Sequence, residues 1–244
     1  METNQSLHSY IKEELLDRIK SGIYQAGQQL PTEYELCEDF DVSRTTVRAA
    51  LNQLTLEGYL IRQQGKGTFV ADQKVRQTLS DTPDTYTEQL AVQGKRGHVA
   101  AVDLTVVPAN AAIVAKLHVT LNDPIQRIER IRRANDEPTQ YEISYIPWHI
   151  APGITKKQAE HSLYTTLRET FSISVAKTTE SLEITLADER ISAHLDCELG
   201  MPCFYIETVA ENKDGEPIEY SRSYFRGDKT NFVIERHYAA GDAL

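Results

Sequence analysis

The segment from Leu30 to Val70, LPTEYELCEDFDVSRTTVRAALNQLTLEGYLIRQQGKGTFV, constrains the fold more than any other part of the chain. Pro31-Thr32 opens a helical pattern, and Thr32 with Glu35 forms a T-x-x-E capping box that satisfies orphan amides at both positions. Leu36 and Phe40 face the core, and Asp39-Phe40-Asp41 makes a turn. Ser43 then caps a second helix, with Val42 placed to staple against Val47. Val47, Leu51 and Leu54 form its apolar face, and Gly58 stops it. Upstream, Leu7, Ile11, Leu15 and Ile19 recur every four residues, giving a helix that ends at Gly22 and the Gly27 turn. Downstream, Tyr59–Gln63 and Thr68–Ala71 read as strands around the tip Gln64-Gly65-Lys66-Gly67.

Three helices followed by a hairpin make a winged helix-turn-helix, which lays its second motif helix in a DNA groove. The residue types on the free face agree. Arg44 and Arg48 lie one turn apart, away from Leu51 and Leu54, with Thr45 and Asn52 close to the same side. Arginine can read guanine bidentately, while Ser43, Thr45 and Thr46 at a helix N-terminus suit phosphate. The glycines of the tip let backbone approach DNA, and Lys66 supplies charge. The formal net charge of the whole chain is −10, which excludes a basic nucleic-acid coat. From Val42 to Ala71, however, Arg44, Arg48, Arg62 and Lys66 face a single acid, Glu57. Positive charge is therefore concentrated where the motif sits.

LPTE, VSRTTVRAAL, LEGYLIR and QGKGTFV, across residues 7–71, resemble the signature of GntR-type transcriptional regulators. The DNA-facing set is then Thr32, Glu33 and Tyr34; Ser43, Arg44, Thr45, Thr46 and Arg48; and Gln64, Gly65, Lys66 and Gly67. Tyr34 stands where the family pattern usually carries an arginine.

Residues 1–71 thus form the DNA-binding domain, and 72–84, polar and without periodicity, read as a linker. Residues 85–244 contain an internal repeat. Leu117-x-x-x-Leu121-x-x-Pro124-x-x-x-Ile128 recurs as Leu195-x-x-x-Leu199-x-x-Pro202-x-x-x-Ile206, offset by 78. Glu137-Pro138-x-x-Tyr141-x-x-Ser144-Tyr145 recurs as Glu216-Pro217-x-x-Tyr220-x-x-Ser223-Tyr224, offset by 79. Each copy reads as strand, short helix, strand, turn, strand. Two copies predict an α+β domain: one antiparallel sheet with pseudo-twofold symmetry and helices on one face. Thr155–Thr170, between the copies, reads as helical. Period-2 parity puts Ile128, Arg130 and Arg132 on one strand face and Gln140, Glu142 and Ser144 on one face of the next, with Glu219 and Ser221 as second-copy counterparts of Gln140 and Glu142. Arginines and carboxylates so converged suit an anionic ligand bearing hydroxyl or amino groups, although cross-strand ion pairs give the same pattern. Thr85-Tyr86-Thr87 offers hydroxyls and amides, a possible anion nest.

This half is similar to the UTRA domain of the HutC subfamily, whose fold resembles chorismate lyase, on the strength of PIQRIERIRRANDEPTQYEISYIP, HSLYTTL and DGEPIEYSRSYFRGDKTNF. The resemblance implies an effector site at Thr85, Tyr86, Thr87, Arg130, Arg132, Glu142, Ser162, Tyr164, Glu219, Tyr224 and Arg226. It implies a phosphorylated sugar, an amino-sugar phosphate first, with urocanate or another carboxylate as the alternative. The expected protein is a homodimeric repressor that binds a palindromic double-stranded operator and lets go when a small metabolite binds; an activator would use the same parts. An enzyme with a lyase-like fold is the remote alternative, because no nucleophile–base–orienter set is present and catalytic residues are expected to be none. No metal and no cofactor are expected: Cys37, Cys197 and Cys203 form no CxxC pair, and His194-x-x-Cys197 is an isolated pair. The lack of an apolar span, and an N-terminus unlike a signal peptide, point to the cytoplasm and no membrane partner.

Overall fold

A computed structural model describes residues 7–71, 74–78 and 86–234. The chain divides into two compact units, Met1–Lys74 with Gly227–Asn231 and Val75–Arg226 with Phe232–Leu244.

The first unit contains α1 (Leu7–Lys20), α2 (Glu33–Phe40), α3 (Arg44–Leu56), β1 (Leu60–Gln63) and β2 (Gly67–Val70). Ile11 and Leu15 of α1, Leu36 of α2, and Val47, Ala50, Leu51 and Leu54 of α3 close one core with Leu60 and Val70. Leu7 stays largely exposed, so the apolar face of α1 begins a turn later than its spacing predicts. The capping box at Thr32 forms with both its bonds, and the Ser43 side chain accepts from the Thr46 amide. Phe40 is still helical; the turn starts at Asp41, which takes the left-handed conformation with φ 51°. Gly58 does more than stop α3. At φ 76° it lies so close to the returning segment that a Cβ would stand 1.8 Å from the Asp228 carbonyl oxygen.

Part of the segment read as a linker is a strand, β3 (Val75–Thr78). α4 (Tyr86–Val92) follows, and then the repeat. Copy one is β4 (Gly97–Pro108), α5 (Ala111–Leu117), β5 (Pro124–Ala134) and β6 (Glu137–Pro147). The stretch between copies is two helices, α6 (Lys156–His161) and α7 (Leu163–Phe171), hinged at Ser162, which ends one and caps the other. Copy two is β7 (Lys177–Leu186), α8 (Glu189–Leu195), β8 (Pro202–Glu211) and β9 (Pro217–Arg226), and β10 (Thr230–Val233) closes the described chain. The six long strands form one antiparallel sheet in the order β4-β5-β6-β9-β8-β7. At its centre Ile143 pairs with Arg222, Glu142 with Ser223 and Ser144 with Ser221. Ile143 and Arg222 are repeat counterparts, so the pseudo-twofold axis passes between them.

Helices cover both faces of this sheet, not one. Tyr141, Ile143 and Tyr145 pack with Ile113 and Leu117 of α5 and Ile191 and Leu195 of α8. On the opposite face Ile128, Ile146 and Ala210 pack with Ala159 of α6 and Leu163 and Leu167 of α7. The one-face expectation failed because apolar residues occupy both parities of the central strands, as they must when both faces are buried.

Candidate DNA interface and effector cavity

The free face of α3 is organised by a carboxylate. Glu33 Oε2 accepts from Arg44 Nε and from Arg48 Nε, each at 2.8 Å. Burial alone would raise the Glu33 pKa, but the hydrogen bonds from the two arginines lower it below the usual carboxylate range. The hydroxyls of Thr45 and Thr46 lie 2.8 and 2.7 Å from Ser43 Oγ. Tyr34 is 70% exposed on α2. The wing pairs Leu60 with Val70 and Gln63 with Gly67, leaving Gln64, Gly65 and Lys66 exposed at the tip. Gln29 braces it by donating from Nε2 to the Lys66 carbonyl oxygen at 2.8 Å. Gly67, at φ 119°, makes room for that contact, since a Cβ would stand 2.6 Å from Gln29 Nε2. Arg44, Arg48 and Lys66 therefore all belong to one unit and all reach solvent.

In the second unit a cavity of about 1090 Å³ opens on the sheet face shared with α6 and α7. Its floor is an ionic cluster. Glu142 bridges Arg130, through a very short contact between Nη2 and Oε1, and Arg132, whose Nη2 donates to Oε2 at 2.9 Å. Ser144 Oγ and Gln140 Nε2 donate to the same carboxylate at 3.0 and 3.2 Å. Burial by itself would raise the pKa of Glu142; Arg130 and Arg132 overcome that and hold it at about 2. Arg130 also donates from Nη1 to the Ala159 carbonyl oxygen at 3.2 Å. The Nε groups of Arg130 and Arg132 are buried with no hydrogen-bond partner among the described residues. A second carboxylate, Glu219, is buried nearby and accepts from the Tyr164 hydroxyl at 3.0 Å. Desolvation and the charge of Glu142 raise its pKa. The Tyr164 hydroxyl, desolvated beside Glu219, is pushed far above its ordinary range. The cavity thus sets guanidinium donors beside a carboxyl group whose neutral form burial and the Glu142 charge favour.

Two family models cover nearly all of the described chain. Residues 7–70 match the bacterial regulatory proteins of the gntR family, and residues 92–231 match the UTRA domain. The chain belongs to the GntR family, in its UTRA-containing branch. It is 34% identical to an Escherichia coli protein named "Probable fructoselysine utilization operon transcriptional repressor", over 96% of each chain. It is 33% identical to the Bacillus subtilis HTH-type transcriptional regulator YurK, over 95% of this chain and 96% of that one. The crystal structure of PhnF from Mycobacterium smegmatis superposes with a TM-score of 0.66 at 30% identity, covering 94% of this chain and all of that one. This GntR protein is accordingly a transcriptional regulator and not an enzyme.

Of the effector residues implied by resemblance, the structure gathers Tyr86, Arg130, Arg132, Glu142, Ser162, Tyr164 and Glu219 around the cavity. Tyr86 starts α4, is buried, shares a 2.7 Å hydrogen bond with the Thr139 hydroxyl and lies under the Arg132 guanidinium. Thr87 sits on an exposed side of α4 and does not line the cavity, and Thr85 lies outside the described residues. Tyr224 and Arg226 fall on the other face of the sheet. Tyr224 packs on Tyr141 and Tyr205, and Arg226 donates to the Leu195 and Asp196 carbonyl oxygens at the end of α8. The reason is strand parity: residues 219, 221, 223 and 225 face the cavity, so 224 and 226 cannot. Ser221, Ser223 and Gln140 also line the cavity, and the repeat with its parity carried the signal for them. Arg168, Lys177 and Glu180 join from α7 and β7 with no spacing to announce them. His194 stacks on Tyr141 with ring centroids 4.3 Å apart, which settles it as a packing residue. Among the described residues there is no group of side chains suited to a metal ion, and no helix is long and apolar enough to cross a membrane.

Proposed function

We propose that this regulator represses transcription by holding a palindromic operator as a homodimer, and that an anionic sugar derivative in the cavity releases it. A phosphorylated amino sugar matches best. The observation that carries the reading is the Arg130–Glu142–Arg132 cluster on the cavity floor, whose two Nε groups have no hydrogen-bond partner among the described residues, set beside Glu219 and Tyr164. Guanidinium forks suit phosphate oxygens, and the second carboxyl group suits hydroxyl or ammonium groups on the same molecule. Relatives named for fructoselysine utilisation and for mannosyl-D-glycerate transport and metabolism support a sugar-derived effector. Two-fold protein symmetry matches two-fold operator symmetry, with one α3 in each half-site.

Release requires the effector to bind the geometry that does not fit DNA more tightly than the one that does. Coupling of about 1–3 kcal/mol weakens operator binding roughly 5- to 150-fold. The test is a thermal-shift panel of sugar phosphates, amino-sugar phosphates and urocanate. A true effector at a hundred times its dissociation constant adds about 2.7 kcal/mol of stability. A flat response to every phosphate sinks the reading, and a shift with urocanate alone replaces it with a carboxylate sensor.

A further inference from the structure

The turn between β9 and β10 belongs to one unit, while the residues that flank it belong to the other. Gly227–Asn231 is part of the first unit, and Phe225 and Phe232 are part of the second and line its cavity. These two rings pack edge to face with centroids 5.0 Å apart, and Phe232 meets Phe204 in the same way at 5.1 Å. Within the first unit the turn is seated where α3 gives way to the wing. Gly58 lies so close to Asp228 that a Cβ would stand 1.8 Å from its carbonyl oxygen and 2.7 Å from its Cα. Lys74 Nζ donates to the Gly227 carbonyl oxygen at 2.8 Å and lies 5.3 Å over the Tyr59 ring. Tyr59 is tied to both parts of the reading head. Its amide donates to the Leu54 carbonyl oxygen in α3, and its carbonyl oxygen accepts from the amide of Ala71 just after β2, each at 2.9 Å.

We propose that this turn carries the state of the cavity to the reading head, with Gly58 and Lys74 as the positioning residues that seat it. Packed side chains move between discrete arrangements and do not stretch. A change of packing at Phe225 or Phe232 therefore shifts the ends of the short turn between them. The turn cannot absorb that shift against Gly58, because Asp228 already fills the space a side chain would take there. The shift passes to Gly58 and Tyr59, and from them to the end of α3 and the base of the wing. The other covalent passage between the units, Lys74 to Val75, is held to the same turn. Lys74 is bonded to Gly227, and β3, which starts at Val75, pairs with β10. The route rests on the reading of the cavity as the effector site and names the part through which that site acts.

The test is a double-mutant cycle that needs no effector. DNA selected from a random pool by the native full chain serves as the operator, and its affinity is read by fluorescence anisotropy. Phe232→Ala, in the cavity wall, is expected to weaken operator binding about fivefold or more, the lower end of ordinary coupling between sites. Ile191→Ala, a truncation in the core on the other face of the sheet, should leave the affinity unchanged. In a Gly58→Ala background Phe232→Ala should add nothing, because the seat is already lost. Native affinity in Phe232→Ala, an equal loss from Ile191→Ala, or the same factor with and without Gly58→Ala overturns the route. If Gly58→Ala does not fold, Lys74→Met, which deletes the bond to Gly227, takes its place in the cycle with the same outcomes. Lys74→Arg, still able to donate to that oxygen, should keep the native response to Phe232→Ala. A flat ligand panel would sink the effector reading without touching this cycle, so the two fail separately.

Discussion

The chain builds the same trio twice, in two dielectric settings. In the reading head, Glu33 holds Arg44 and Arg48, whose side chains are 68% and 55% exposed. In the cavity, Glu142 holds Arg130 and Arg132 at 4% and 23%. Exposed pairs of this kind are worth about 0–1 kcal/mol and weaken with salt. Glu33 therefore orients the two arginines without committing them, and a competing anion can displace it at small cost. The buried trio behaves oppositely. Arg130 and Glu142 are almost wholly buried and Arg132 only partly so, and removing Glu142 strands Arg130 without a counter-charge. Burial, not residue type, decides whether an Arg–Glu–Arg group is a loose contact surface or a rigid floor.

The sharpest way to break this comparison is Glu142→Ala. It leaves Arg130 buried without its counter-charge, and a loss of about 3–5 kcal/mol from the second unit is expected in denaturant unfolding. A loss below about 1 kcal/mol would mean the cluster is as soft as the surface one. The same carboxylate sets a pH window. Its folded pKa of about 2 lies below its unfolded value, so its stabilisation is complete above the ordinary carboxylate range and lost as pH falls from there toward 2. Unfolding of a Glu142→Gln variant should show a flatter acid limb than the native chain.

Arg48→Ala comes next. It should abolish specific operator protection in a footprint, with about 1–3 kcal/mol lost if one base is read bidentately, and leave effector binding intact. An unchanged footprint removes α3 from base recognition. Glu33→Gln is expected to change stability by less than about 1 kcal/mol, yet to raise non-specific DNA affinity by freeing two guanidinium groups, visible in the salt dependence of binding. The smallest effect belongs to Glu219. Its folded pKa is raised, so the folded state binds more protons than the unfolded one and loses stability as pH rises through that value. Glu219→Gln keeps an acceptor for Tyr164 and should melt higher than the native chain at pH 7, with the gain gone below the ordinary carboxylate range.

The first unit was legible in the sequence nearly residue by residue, because its signals are local. Caps at Thr32 and Ser43, the heptad-like spacing of Val47, Leu51 and Leu54, and the glycines of the wing act within a turn or two of chain. The carboxylate bridge from Glu33 was not legible, since it joins two helices across a turn whose crossing angle no spacing encodes. In the second unit the repeat foretold the strand order within each copy and the parity that gathers Arg130, Arg132 and Glu142. Resemblance named Tyr224 and Arg226 as well, and strand parity puts both on the face opposite the cavity.

The sequence by itself determined the elements, their caps, the doubled β-α-β-β unit and the side-chain alternation along each strand, all properties of neighbours along the chain. Tertiary structure decided which alternations became core and which became cavity. A strand face is apolar or polar by sequence, but it is buried or open according to what the rest of the chain lays over it. Here α6 and α7 close over the arginine floor, while nothing described covers Leu182, Ile184 and Leu186.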